Sequence, residues 1–228
     1  MMVADDAALA APLLESAAGA HVVGHSYGAV VAMKLAMQHP QLVHSLIGYE
    51  PVLFRLLFEE ADRSREAQEA RIAVNEMRDN IAQGDNDAAA RIFVDFWSGA
   101  GSWQALPASH QQSISSRMAT VLRHFAAVYS EAFPRQQFAR PGIPMLFLSG
   151  ALSVPVARCI GQLLLRALPF ADHQELPGMG HMGPLTHSAQ VNDRIRQFLY
   201  ARVVDRTPEY PERIAALPGK FVHGGRST

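Results

Sequence analysis

The stretch Gly24-His25-Ser26-Tyr27-Gly28-Ala29 decides how the rest of the chain is read. It has the form G-x-S-x-G followed by a small residue. An apolar run over 20–23, broken only by His21, comes before it, and an apolar helical pattern over 29–38 comes after. A strand that passes through a tight turn into a helix is the setting in which this pattern presents a serine hydroxyl on a strained corner. Glycine two positions before and two after the serine avoids collision with the neighbouring strand and helix. The plainer reading is a glycine-rich strand-to-helix loop. The flanking periodicities, and a histidine in a second glycine-rich loop far downstream, favour the sharp turn.

Towards the N-terminus, residues 5–18 are rich in Ala and Leu. Asp5 and Asp6 suit a helix N-terminus, Pro12 predicts a kink or a late start, and Gly19 supplies a stop. Towards the C-terminus, the helix over 27–38 is apolar nearly all round (Val30, Val31, Met33, Leu35, Ala36, Met37), as for a helix buried on a sheet. Lys34 is expected to snorkel outward. A second strand over 44–49 follows, and strand–helix–strand order implies a right-handed parallel crossover. From 52 to about 134 no strand pattern occurs. Residues 53–80 read as a charged amphipathic helical region, 88–97 as an apolar helix, and 109–129 as one or two more. The α/β pattern returns with a strand over 145–149, a helix over 156–167, and a polar, edge-type strand over 171–176. The glycine-rich loop 177–184 and a closing helix over 185–201 complete it. Three parts result: a core of 1–51 and 141–204, an all-helical insertion over 52–140, and a tail over 205–228 with no clear periodicity.

Composition limits the function classes. Of 228 residues, 49% are apolar, enough for a sizeable core. Twenty basic and 21 acidic residues give a net charge of -1, so nothing argues for nucleic acid or an anionic membrane surface as partner. The single cysteine, Cys159, permits no internal disulfide and fits a reducing compartment. No run approaches the ~18–20 apolar residues of a membrane span, and the acidic start lacks the basic region of a secretory signal. The expectation is a cytoplasmic protein. Histidines and acids do not cluster at ligand spacing, so neither a metal nor a cofactor is expected.

The residues GHSYGA at 24–29, YEP at 49–51, MLFLSG at 145–150 and GMGHMGP at 178–184, with the helical insertion between them, resemble the α/β-hydrolase superfamily over roughly residues 5–200. The resemblance implies the C-terminal part of a parallel sheet, about four strands with flanking helices, carrying a helical cap. It also implies a serine hydrolase acting on a small-molecule acyl substrate. Ser26 matches the nucleophile and His181 the general base. The N–H of Tyr27 matches an oxyanion donor. His25 is read as a structural neighbour facing the other side of the turn, and His187 as a solvated helix position. Phe93, Phe96, Trp97, Trp103 and Phe125 are candidate pocket walls, each with the simpler reading of cap core.

The sequence departs from the family pattern twice. After the strand at 145–149 the family usually places an Asp near Ser153, but the loop Gly150-Ala-Leu-Ser-Val-Pro155 has no acid. Some members place the acid one strand earlier, where this chain has Glu50. Ser26, Glu50 and His181 keep the family's chain order. Asp172 is the weaker alternative, at the wrong end of its strand. Second, only 19 residues precede the strand at 20–24, whereas the family has four strands there. The early loop that supplies a second oxyanion donor has no counterpart, a loss on the order of a hundredfold in turnover. The strand before Ser26 then becomes an open apolar edge. A truncated hydrolase start, a minimal protein that pairs this edge with a second copy of itself, and a non-catalytic binding or dimerisation module each account for it.

Overall fold

The structure is a computed structural model describing residues 2–132 and 142–204, with side chains through Ala201. Its centre is a parallel sheet of four strands among the described residues: β1 (Ala20–His25), β2 (Val43–Tyr49), β3 (Met145–Gly150) and β4 (Asp172–Leu176). The order is β1-β2-β3-β4, so each strand lies beside its sequence neighbour. His25 is level with Tyr49, Tyr49 with Leu148, and Gly150 with Leu176. This register brings the four C-terminal ends together, the edge on which parallel α/β sheets carry ligands. β2 and β3 are buried along nearly their whole length, which explains their continuous apolar character. β1 and β4 are the outer strands, and Val23 on β1 is 53% exposed.

Helix α1 (Val3–Ser16) buries Val3, Ala7, Ala11 and Leu14, one stripe at helical spacing. Asp5 accepts from the Met2 backbone N–H and closes its first turn. Pro12 does not delay this helix, which begins nine residues earlier at Val3. Helix α2 (Tyr27–Gln38) fills the predicted range and packs on α1, β1 and β2. Lys34 does not snorkel into water: its Nζ lies 2.7 Å from Glu131 Oε1, and Glu131 is itself buried.

Between β2 and β3 the described residues hold five helices and no strand. They are α3 (Phe54–Glu60), α4 (Arg65–Ala82), α5 (Asn86–Ser98), α6 (Ala108–Ser115) and α7 (Met118–Ser130). The amphipathic helical region over 53–80 breaks at Ala61, and Ser64 starts a new helix by accepting from the Ala67 N–H at 3.0 Å. Asp85 caps α5 in the same way. Phe54 is fully buried here, with its ring 5.1 Å from Tyr129, 5.5 Å from Phe125 and 6.1 Å from Trp97. Helix α8 (Pro155–Ala167) links β3 to β4 and packs on α3 and α4. The predicted closing helix is two pieces, α9 (Gly183–Thr186) and α10 (Ser188–Val204), separated at His187. Residues from Ala189 onward form a second compact unit, of which α10 is the described part. The expected boundary at 140–141 and the tail over 205–228 lie outside the described residues. No described helix is long and apolar enough to cross a membrane.

Candidate active site

Ser26 sits where β1 turns into α2, at φ 56° and ψ −120°. A non-glycine residue there stores about 1–3 kcal/mol of strain and persists only where its surroundings impose it. Here the Ser26 N–H donates to the Tyr49 carbonyl at 2.9 Å, and the Ser26 carbonyl accepts from Ala29 N–H at 3.1 Å. Gly24 is required by space. A Cβ on it would lie 2.4 Å from the Gly28 oxygen and 2.6 Å from the Ala29 nitrogen. Gly28 is not: it is exposed, and nothing lies within 4 Å of its Cβ position. The collision expected there does not occur among the described residues.

The loop after β4 brings His181 over the sheet end, and backbone contacts fix it. Leu152 N–H donates to the Met179 carbonyl at 2.7 Å, and Tyr49 Oη–H to the Gly180 carbonyl at 2.7 Å. Gly150 permits the approach, since a Cβ there would lie 2.3 Å from the Met179 oxygen. His181 is 3% exposed. Its Nδ1 lies 2.7 Å from Glu50 Oε2 and its Nε2 3.0 Å from Ser26 Oγ. A proton on Nδ1, facing the carboxylate, leaves Nε2 to accept from the serine hydroxyl.

Glu50 follows β2 at φ 45° and is buried. Its Oε1 accepts from Gly150 N–H at 2.7 Å and from the Ser153 hydroxyl, while Oε2 accepts from His181. Burial opposes the charge, but these donors outweigh it and hold the carboxyl below its ordinary value. Ser153 therefore donates to the carboxylate that follows the neighbouring strand β2. Asp172 opens β4 level with Leu146, at the far end from Ser26.

Two rings flank His181. Trp97 of α5 stacks on it at 4.1 Å and 20°. His25 lies 4.9 Å away, and its Nε2–H donates to the His181 carbonyl at 2.8 Å. His25 thus does not face away from the site, because the His181 loop folds over the end of β1. Burial, with His181 beside it, pushes the His25 imidazole down to about 4.

A cavity of about 90 Å³ opens at Ser26. Its apolar walls include Val52, Phe54, Phe93, Trp97, Phe125 and Val128; Tyr27 and His124 add polar groups. Trp103 does not reach it. Trp103 lies by Gly84 and Gln111, its N–H donating to Asp95 and its carbonyl accepting from Gln111. Phe96 is absent from the walls as well: one helical step of about 100° from Trp97 carries it off that face. The Tyr27 N–H opens α2, where first-turn amides have no acceptor within the helix. Among the described residues no group of three or more His, Cys, Asp or Glu could hold a metal ion. Trp97 lines the cavity, but its stacking on His181, and the contacts of Tyr49, Ser153 and His124, are not legible from motif spacing. Gly150 at a strand end was the available signal for the close approach of the His181 loop.

The model of the alpha/beta hydrolase family matches residues 2–194. Comparison with curated proteins gives no match. Among solved structures, a carboxylesterase from the Thaumarchaeon Nitrososphaera gargenis aligns with TM-score 0.65 at 17% identity, over 90% of this chain and 74% of that one. MenH from S. aureus aligns with TM-score 0.64 at 15% identity, over 88% and 76%. A thermophilic esterase aligns with TM-score 0.57 at 18% identity, over 89% and 74%. At these identities the likeness is one of fold, and the chain spans about three quarters of each structure's length.

Proposed function

The chain belongs to the alpha/beta hydrolase family, and from that premise we propose that it is a serine hydrolase cleaving an ester or related acyl compound. Ser26 Oγ attacks the acyl carbon and passes its proton to His181 Nε2. The tetrahedral oxyanion faces the Tyr27 N–H. On collapse the leaving alcohol takes the proton from His181. Water then attacks the acyl-serine, gives a proton to His181, and the ester bond to Ser26 breaks as that proton returns to Oγ. Glu50 holds Nδ1–H and stabilises the imidazolium formed at each step. The helices over 52–132 act as the cap, and their apolar walls suit an acyl group.

The observation that carries this reading is the unbroken line of hydrogen bonds from Ser26 through His181 to Glu50, starting at a serine in strained geometry. The test is labelling with a fluorophosphonate probe. A covalent adduct on Ser26, absent from Ser26→Ala, is expected. Folded protein that takes no label overturns the reading. One observation favours a second reading, a non-catalytic module that pairs with a second copy: β1 is an outer strand with Val23 exposed. That reading requires a concentration-dependent dimer and no labelling.

A further inference from the structure

The cavity at Ser26 holds one polar group that the chemistry above leaves unused. His124 lines it from α7, among walls that are otherwise almost all carbon. Its ring stacks on Tyr27 at 4.1 Å and 9°. Tyr27 in turn is fixed, because its hydroxyl donates to Asp6 of α1. Stacking covers one face of the imidazole and does not engage its two nitrogens. No hydrogen bond among the described residues takes either nitrogen. The ring is half-buried, and a neutral imidazole at the cavity wall offers one donor and one acceptor to whatever enters.

We propose that His124 is the polar anchor of the substrate, and that the cavity takes a short acyl group bearing an uncharged hydroxyl or carbonyl substituent. This rests on Ser26 being the nucleophile. Two observations define the ligand. The cavity, at about 90 Å³, is far below the roughly 300–1,000 Å³ of sites for drug-sized ligands, so the part of the acyl group that it holds beside Ser26 is short. Burial holds the His124 imidazole below its ordinary value, against the pull of Asp6 and with the push of Arg123. The ring is therefore neutral near pH 7, and a neutral ring with one donor and one acceptor fits a hydroxyl or carbonyl better than a carboxylate.

The test compares kcat/KM for p-nitrophenyl 3-hydroxybutyrate and p-nitrophenyl butyrate. A single neutral hydrogen bond predicts a preference of about five- to tenfold for the hydroxylated ester. His124→Leu brings the ratio to one or below, and His124→Asn, which keeps a donor and an acceptor, restores part of it. Fluorophosphonate labelling of Ser26 in each variant reports whether the site is assembled. Labelling with an unchanged ratio in both variants, or a wild-type preference for plain butyrate, overturns the role of His124 alone. Absence of labelling in the wild type overturns the hydrolase reading, and this inference with it.

Discussion

Replacing Glu50 by glutamine removes a charge and almost no volume, and the structure dictates how the new amide must point. Oε1 faces the Gly150 N–H at 2.7 Å and the Ser153 hydroxyl. The hydroxyl can rotate to donate or accept, but a backbone N–H can only donate. The oxygen of the introduced amide must therefore stay at the Oε1 position, which turns its NH₂ towards His181 Nδ1. Nδ1 then has to accept, so the proton moves to Nε2 and faces Ser26, where a base is needed. Two losses combine: the wrong tautomer in the ground state, and no negative charge beside the imidazolium. In a Ser-His-Asp triad the same kind of change costs about 10⁴ in kcat. The expectation for Glu50→Gln is a fall of about 10³–10⁴ in kcat/KM on a p-nitrophenyl ester, equal to about 4–5.5 kcal/mol. The same variant changes stability in acid. The folded carboxyl lies below its ordinary value of 4.5, so its stabilisation is complete above that pH and lost as pH falls through the folded value. Urea unfolding of Glu50→Gln should show a flatter acid limb than the wild type. A folded Glu50→Gln protein within tenfold of wild-type activity refutes the reasoning and removes Glu50 from the mechanism.

Two further outcomes follow from the turn and its neighbours. Gly24→Ala places a methyl group 2.4 Å from the Gly28 oxygen and should cost about 3 kcal/mol in chemical unfolding. Gly28→Ala meets nothing within 4 Å and should be neutral, or stabilising by up to about 1 kcal/mol through helix propensity; equal effects at the two positions would contradict the geometry. His25, held at about 4 against an ordinary 6.5, binds fewer protons folded than unfolded. Its contribution is therefore intact at pH 7 and shrinks as pH falls from 6.5 to 4, by about 3 kcal/mol in all. His25→Asn should lose that slope in unfolding measured from pH 7 to 4.5, and a parallel slope in both proteins would place the titration elsewhere.

Strand and helix positions in the α/β part were legible because burial writes period and length directly into the residues. Helix α2, buried against a sheet, is apolar nearly all round, and the pattern gives its range to the residue. The helical insertion was less legible. Its breaks depend on single capping residues such as Ser64, whose effect is local and leaves the surrounding amphipathic pattern intact. The site divided in the same way. Ser26, Glu50 and His181 stand at the ends of elements, where a motif marks them. Trp97, Trp103 and Phe96 lie within or near one helix in similar apolar contexts, and only the packing angle of α5 decides that Trp97 stacks on His181 while the other two do not. His25 meets His181 instead of facing away, because strand alternation fixes the direction of a side chain but not which distant loop folds over it.

In the proposed mechanism, a charge at Glu50 and a hydroxyl at Ser153 have a physical logic that neither strand carries alone. β2 lies between β1, which leads to Ser26, and β3, which leads to Ser153. A carboxylate from position 50 or from position 153 can therefore approach the same histidine from adjacent strand ends. The two cannot both be charged there, since like charges in hydrogen-bond contact raise one another's pKa and one would be neutral. With Glu50 supplying the charge, residue 153 must be a donor, and a small hydroxyl meets that need without opening a void. Serine at 153 is then the counterpart of the acid having moved, and the donor set on Oε1 is what leaves Oε2 free for His181. A Ser153→Asp substitution tests this logic. The paired carboxylates should share a proton with a pKa above the ordinary carboxylate range, so the stability of Ser153→Asp should fall as pH rises through that raised value, and Ser153→Thr should show no such limb. Absence of that limb in urea unfolding of Ser153→Asp would mean that position 153 does not face Glu50 in solution.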